Sequence, residues 1–515
     1  MKVLFVSSEV APFAKSGGLA DVAGALPKAL RRRGVDVRVV MPLYAGIDWN
    51  ALERLEGVLH VPMWYGTAHA AVRLGRLPHS DVPVYFLEFH RYFDRPFLYG
   101  PPDEGYGDNL ERFAFLSRGA LELCKALQFV PDVIHANDWQ TALVPVYVNT
   151  VEWAQPLHGS ATVYTIHNLA YQGVADGDAL FITGLGREHY NSSEFEHFGS
   201  LNLMKAAIRH ANALSTVSPT YAQEIQTSDF GCGLDGELRA RRGELSGILN
   251  GIDEDEWDPA RDRFIPHAFS AADLAGKQAG KLALQREANL SPDPGIPLFC
   301  SVGRLVDQKG FDLLAHCMDQ LLSWRMQFVF LGSGDPDAER HFASLAARYP
   351  DRFRAWHHFD NALAHRLYAA SDFVVVPSRF EPCGLTQLYG LRYGALPIVR
   401  STGGLADTVR SYREDAGHGT GFAFRDLTPD ALANTIGWAL STYYDRPGHF
   451  QTMRRHAMEQ DFTWGPPAAA YEHLYREAYR RRRGHTLHDG PAPVPHRTGP
   501  GAAGHGPTAR GAHRG

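Results

Sequence analysis

A seven-residue segment occurs twice in this chain, each time in the same local setting. Ser16-Gly17-Gly18-Leu19-Ala20-Asp21-Val22 follows the apolar run Val3 to Val6, and Thr402-Gly403-Gly404-Leu405-Ala406-Asp407-Thr408 follows Leu396 to Val399. Each run is short enough to be a buried strand, and each copy leads into a segment with helical patterning. A strand, a glycine turn and a helix N-terminus make an anion site: glycine lets the backbone come close, and the first helical N–H groups point at the ligand. Two such turns, one near each end of the chain, predict two nucleotide-fold units facing one cleft.

The rest of the pattern agrees. Candidate strands at 2–7, 36–41, 83–88, 131–135, 162–166 and 213–217 alternate with helical stretches such as 20–33 and 109–128. A second alternation has strands near 297–302, 327–331, 353–357, 373–376 and 396–399, with helices at 309–323, 336–348, 362–370, 384–393 and 429–446. Strand–helix alternation of this kind implies an α/β fold of doubly wound parallel sheets. Asn250-Gly251 and the acidic, Trp- and Pro-containing stretch after it read as a linker. The division is therefore 1–249, a linker at 250–260, 261–460, a helical segment at 461–483, and a tail at 484–515. The tail is built mainly of Gly, Pro, Ala, His and Arg and has no Ile, Phe, Tyr, Trp or Met, so it is expected to stay disordered.

Composition removes several classes. The net charge of −6 does not suit a polyanion binder, and no window approaches 18 consecutive apolar residues, so neither a nucleic-acid partner nor a membrane span is expected. Met1 to Val10 reads as a first strand rather than a signal peptide. Cys124, Cys232, Cys300, Cys317 and Cys383 include no CxxC pair, which points to reduced thiols and a cytoplasmic setting. HExxH and GxxxxGK[ST] are missing, and Asp253-Glu254-Asp255 and Asp335-Pro336-Asp337 read as acidic turns rather than metal ligands. Lysine fills only 8 of 51 basic positions, yet Lys15 precedes the first glycine turn and Lys309 follows Arg304 in another. A compact ammonium in those places suggests that a point charge is needed there.

Arg304 and Lys309 flank a glycine turn at the carboxyl end of a strand, where ligands bind in open α/β sheets. Two fixed cations there can balance charge growing on a departing diphosphate. Glu381 lies in Ser378-Arg379-Phe380-Glu381-Pro382-Cys383-Gly384-Leu385-Thr386-Gln387, again beyond a strand; its carboxylate can accept from sugar hydroxyls, or simply serve a helix dipole. His135-Ala136-Asn137-Asp138-Trp139 and Thr165-Ile166-His167-Asn168-Leu169 close two strands of the first half, and a histidine in such a place is as readily structural as functional.

Taken together, these motifs resemble the bacterial glycogen (starch) synthase family, the retaining glucosyltransferases that use ADP-glucose. The resemblance rests on Lys15 to Asp21, Thr165 to Gly173, Thr216 to Ala222, Asn250 to Asp253, Gly303 to Gly310, Ser378 to Gln387 and Thr402 to Asp407, and runs from about residue 1 to 480. It implies a GT-B architecture, two Rossmann-like domains across a deep cleft, with the last helix crossing back onto the first domain. It implies glucose transfer to the non-reducing end of an α-1,4-glucan, with no metal or other cofactor. Arg304 and Lys309 then match the pair that stabilises the leaving diphosphate. Lys15 with Gly17 and Gly18 matches the first domain's donor contact. His167, Asp138 and Asn250 match groups near the glucose. Glu381 matches the carboxylate that contacts it, with Cys383, Gly384, Leu385 and Thr386 close to sugar and phosphate. Phe359 falls where some members stack a tyrosine on adenine. The chain departs from the family at Asn137 and Gln140, where many members carry histidine, and Tyr389 stands where the wider retaining class has a second glutamate. A synthase preferring UDP-glucose, a catalytically silent glycan-binding protein and a pyridoxal-phosphate-dependent phosphorylase are the competing readings.

Overall fold

A computed structural model describes residues 1–101 and 104–484. The tail expected to be disordered lies outside the described residues from 485 onward. Two parallel sheets dominate, assembled from the strands that the apolar runs had marked plus one unmarked edge strand in each. In the first, β1 (Lys2–Val6), β2 (Asp36–Pro42), β3 (Pro83–Glu88), β4 (Val133–Asn137), β5 (Ala161–Ile166), β6 (Ala213–Thr216) and β7 (Leu245–Gly247) line up in the order β7-β6-β5-β4-β1-β2-β3. In the second, β8 (Leu298–Val302), β9 (Gln327–Leu331), β10 (Phe353–Trp356), β11 (Phe373–Val376), β12 (Leu396–Arg400) and β13 (Phe422–Phe424) line up as β10-β9-β8-β11-β12-β13. The order reverses between β1 and β4, and again between β8 and β11. At those reversals the flanking connections run to opposite faces of the sheet, and a crevice opens beyond the strand ends.

The sequence reading left out an antiparallel annex. Strands Glu53–Arg54, Leu59–Met63 and Gly66–Arg76 extend the β3 edge. Pro62 sits inside one of them, a residue that usually argues against a strand and is tolerated at edges. A second small sheet, Val174–Asp176, Glu196–His197 and Ser200–Asn202, also escaped the pattern because its strands have only two or three residues.

The chain crosses between the two units twice, side by side. The N–H of Ile252 donates to Phe462 O at 2.8 Å, and a Cβ on Gly251 would lie 2.8 Å from Thr463 O. The stretch 252–260, expected as linker, belongs instead to the second core. Ile252 and Trp257 are buried there, and the Trp257 indole is sandwiched between His365 (centroids 3.7 Å apart) and Tyr389 (3.6 Å). Beyond the second crossing, helix Gly465–Arg483 returns to the first unit and buries Ala468, Tyr471, Leu474, Tyr475 and Ala478 in its core. Its arginine-rich end grips loop carbonyls: Arg481 donates to Asn212 O, and Arg482 to His158 O and Asn149 Oδ1.

His135 is the buried bolt for this helix. Its Nδ1 meets the Tyr475 hydroxyl at 2.8 Å and its Nε2 meets Thr165 Oγ1 at 2.6 Å. Burial pushes the imidazole well below its ordinary range, so it stays neutral. Tyr475→Phe leaves a buried ring nitrogen unpaired, and should cost about 1–3 kcal/mol. The expected result is an earlier urea midpoint for the first unit with its secondary structure unchanged below the transition; an unaltered midpoint would show that the bond carries no stability.

Candidate active site

The candidate residues come from the loops after β1, β4, β5, β8 and β11, which means both strand-order reversals contribute. After β4, Asp138 adopts φ 56°, a left-handed conformation that costs about 1–3 kcal/mol for a residue with a side chain. The strain is held from both sides. Its N–H donates to Thr165 O, and its Oδ1 accepts from the N–H groups of His167 (2.7 Å) and Asn168 (3.3 Å). Burial lifts this carboxyl to about 7, against the pull of those two donors. The His167 ring donates from Nε2 to Asn137 Oδ1, 2.9 Å away, while Asn137 Nδ2 donates to Val6 O. Burial lowers the His167 imidazole to about 3, so the ring is neutral and serves as a polar wall rather than a proton carrier at neutral pH.

After β8 and β11 lies the charged pair. Lys309 Nζ donates to Glu381 Oε2 at 2.7 Å, and Ser378 Oγ donates to the same oxygen at 2.8 Å. Glu381 is buried; Lys309 keeps 22 % of its side chain exposed. An ammonium has three donors, so two remain for a ligand. Arg304 is exposed and makes no side-chain hydrogen bond or ion pair among the described residues. Asn250 Oδ1 and Gln140 Oε1 are buried acceptors without partners. Phe359 stands past the end of β10 with 80 % of its surface exposed.

The two halves meet at these loops. Asn168 Nδ2 donates to Gln308 Oε1 at 3.2 Å, joining the His167 loop to the Lys309 loop. A Cβ on Gly18 would lie 3.7 Å from Leu385 Cδ1, so the first glycine turn faces the loop of Glu381. Ser218 Oγ donates to Pro382 O at 2.7 Å. Lys15, Gly17, Gly18, Asp138, His167, Lys309, Glu381, Cys383, Gly384 and Leu385 thus sit on loops that touch, with Thr386 opening helix Thr386–Arg392 just behind.

The glycine turns themselves differ from the expectation. The second presents no free N–H group to a phosphate, and the first leaves the exposed Gly18 N–H without an acceptor among the described residues while its neighbours are taken. In the first, the buried Glu9 carboxylate accepts from the N–H groups of Ser16 and Gly17 and from Ser16 Oγ, while Lys15 pairs with Asp21 at 2.6 Å. In the second, the Glu224 carboxylate accepts from Gly403 N–H and Thr402 Oγ1. There the glycines answer a packing need. A Cβ at Gly403 would stand 2.0 Å from Glu381 O, and one at Gly404 2.1 Å from Cys383 O. Glu9 and Glu224 carry no motif signal of their own, and only their nearness in space reveals them; Gln308 and Ser378 lie inside marked segments.

Two facing parallel sheets, with a lysine–glutamate pair and a free arginine at the crevice between them, define a GT-B glycosyltransferase. Residues 2–240 match the starch synthase catalytic domain, and residues 285–455 match glycosyl transferases group 1. Glycogen synthase 1 of Geobacter metallireducens is 48 % identical over 94 % of this chain and 97 % of its own length. Glycogen synthase of an Anaeromyxobacter species is 47 % identical over 92 % and 99 %. The catalytic domain of starch synthase IV from Arabidopsis thaliana, solved with ADP and acarbose, superposes with a TM-score of 0.87 at 35 % identity, over 93 % of this chain and 99 % of that one. The chain belongs to the glycogen and starch synthase family of glucosyltransferases. No helix among the described residues is long and apolar enough to cross a membrane.

Burial lifts the Cys383 thiol to about 12, which removes it as a nucleophile, whereas Cys232 is exposed. Brief iodoacetamide treatment at pH 8 should therefore label Cys232 and spare Cys383, as read by peptide mass spectrometry. Early labelling of Cys383 would mean that the Glu381 loop opens readily.

Proposed function

We propose that this cleft transfers glucose from ADP-glucose to the non-reducing 4-hydroxyl of an α-1,4-glucan, with the α configuration kept, as a step of glycogen synthesis in the cytoplasm. The Lys309–Glu381 pair at the second strand-order reversal carries this reading. The ADP and acarbose bound to the Arabidopsis domain support a nucleoside diphosphate donor and a saccharide acceptor.

Arg304 and the two remaining Lys309 protons neutralise the diphosphate, with Lys15 of the first unit approaching from the other side. Glu381 accepts from glucose hydroxyls, and the N–H groups of Cys383 to Thr386 border sugar and phosphate. Neutral His167, the strained Asp138 turn and the unpartnered Asn250 oxygen line the glucose from the first unit. The exposed Phe359 ring offers a face to adenine. As the C1–O bond to phosphate breaks, positive charge grows on the sugar and negative charge on ADP. The acceptor oxygen bonds to C1 on the face that the phosphate leaves, and its proton passes to a phosphate oxygen. A double displacement needs a carboxylate as nucleophile. Asp138 is committed to two backbone N–H groups, and Glu381 is held by Lys309 and Ser378, which favours the single front-face step. The charge on the leaving group is met by protein cations, with no metal required.

Lys309→Gln should lower turnover by about 10²- to 10³-fold with the fold intact, in line with loss of one preorganised stabilising group. Near-normal turnover in a labelled-glucose incorporation assay would refute the leaving-group role, and a glucosyl group trapped on Glu381 would refute the front-face step. A strong chelator should leave incorporation from ADP-glucose into glycogen unchanged, and UDP-glucose should be the poorer donor in the same assay. Loss of activity with the chelator, or a preference for UDP-glucose, would overturn those parts of the reading.

A further inference from the structure

The second glycine turn is buried between two carboxylate-bearing segments from different units. On one side is helix Pro219–Glu224 of the first unit; on the other is the Glu381 loop of the second. We propose that Glu224 is a positioning residue for the transfer. It fixes the Glu381 loop from across the domain boundary, through the backbone of residues 402–404. The proposal rests on the reading that Glu381 contacts the transferred glucose.

The short helix grips its neighbours at three points. Ser218, its N-cap, donates from Oγ to Pro382 O at 2.7 Å. Thr220 donates from N–H and Oγ1 to the two oxygens of Asp407, at 2.8 and 2.6 Å. Glu224 Oε1 accepts from Thr402 Oγ1 at 2.9 Å and from Gly403 N–H at 3.0 Å, and its Oε2 lies 3.1 Å from the same N–H. The next N–H along points the other way: Gly404 N donates to Glu381 O at 3.0 Å and to Pro382 O at 3.2 Å. Two successive peptide groups thus connect the Glu224 carboxylate to the Glu381 backbone.

No slack exists in this connection. A Cβ at Gly403 or Gly404 would overlap the carbonyl of Glu381 or Cys383, so the turn and the loop lie in direct backbone contact. Packed contacts of this kind transmit displacement instead of absorbing it. Glu224 itself is only half-buried, and among the described residues it forms no hydrogen bond or ion pair with Lys309 or Arg304. Its influence on the reaction passes through where Glu381 sits. A charge-assisted bond is also directional, so it defines the turn more tightly than packing alone. Because helix Pro219–Glu224 moves with the first unit, the bond forms in full only when the two units are together. The position of Glu381 is thereby tied to the closure that brings Lys15 and His167 to the donor.

The test is kinetic. Glu224→Ala should lower kcat by about 10- to 100-fold, the scale expected when a catalytic group is displaced by a fraction of an ångström to an ångström. KM for ADP-glucose should stay within about twofold, because the cations that hold the diphosphate are untouched. Glu224→Gln should recover most of the loss, since its amide oxygen still accepts from Gly403 N–H. In a Glu381→Gln background, Glu224→Ala should bring no further loss. A kcat for Glu224→Ala within twofold of the parent, or losses that multiply in the double variant, would overturn the proposal. Normal turnover by Glu381→Gln alone would instead remove the role given to Glu381, and is read separately from the Glu224 result. Should Glu224→Ala fail to fold by circular dichroism, Thr402→Val carries the test: it deletes one partner of Glu224 and should lower kcat about 3- to 10-fold at constant KM, an unchanged kcat again overturning the proposal.

Discussion

A parallel sheet sends every strand out through the same edge, so the loops that can carry chemistry are gathered on one side of it. Where the strand order reverses, the loops part and leave a crevice. This chain builds that arrangement twice, and the paired crossings at 250–252 and 462–464 join the two units at one end. Asp138, His167 and the Lys15 turn arrive at one crevice, and Lys309 with Glu381 at the other. Every later feature of the site, from the Asn168–Gln308 bridge to the Gly18–Leu385 contact, depends on those two edges being turned toward each other.

Backbone N–H groups at a buried helix start must find an acceptor. In both glycine turns a carboxylate of the chain takes part of that demand: Glu9 accepts from Ser16 and Gly17 in one, and Glu224 from Gly403 in the other. The chemistry is the same as for phosphate, an anion held by converging N–H dipoles, but its use is structural. In the first turn the carboxylate is also tied to the Tyr99 hydroxyl, so it fixes the loop that carries Lys15. In the second it becomes a seam between the two units. The repeated segment is thus one local solution applied to two tasks.

The scarcity of lysine has a similar explanation. Lys277 is fully buried and its Nζ donates to the carbonyls of Tyr368, Ala369 and Tyr393, with burial driving its pKa well below the usual range. Lys281 pairs with buried Asp372, Lys28 with Asp253 across the units, and Lys309 with Glu381. In each case a compact ammonium meets carbonyl or carboxylate oxygens in a confined space. Point charges at Lys15 and Lys309 are thus matched by structural ones elsewhere in the chain.

Apolar runs of four to six residues separated by helical periods sufficed to mark eleven of the parallel strands within a residue or two, because a strand buried on both faces must be continuously apolar. The glycine turns and the cation and carboxylate motifs likewise marked the loops of the site. Short strands, such as those at 174–176 and 196–197, left no such trace. Nor could local pattern show that 252–260 enters the second core around Trp257, that His135 bolts down the final helix, or that Glu224 reaches the turn at 402–404. Those facts rest on pairs far apart in the chain, and a single sequence records each partner's chemistry without its distance. What the sequence by itself determined was which strands, turns and charges exist. Which of them meet was decided only when two sheets packed, since burial obliges each polar group to take whichever partner the fold brings within reach.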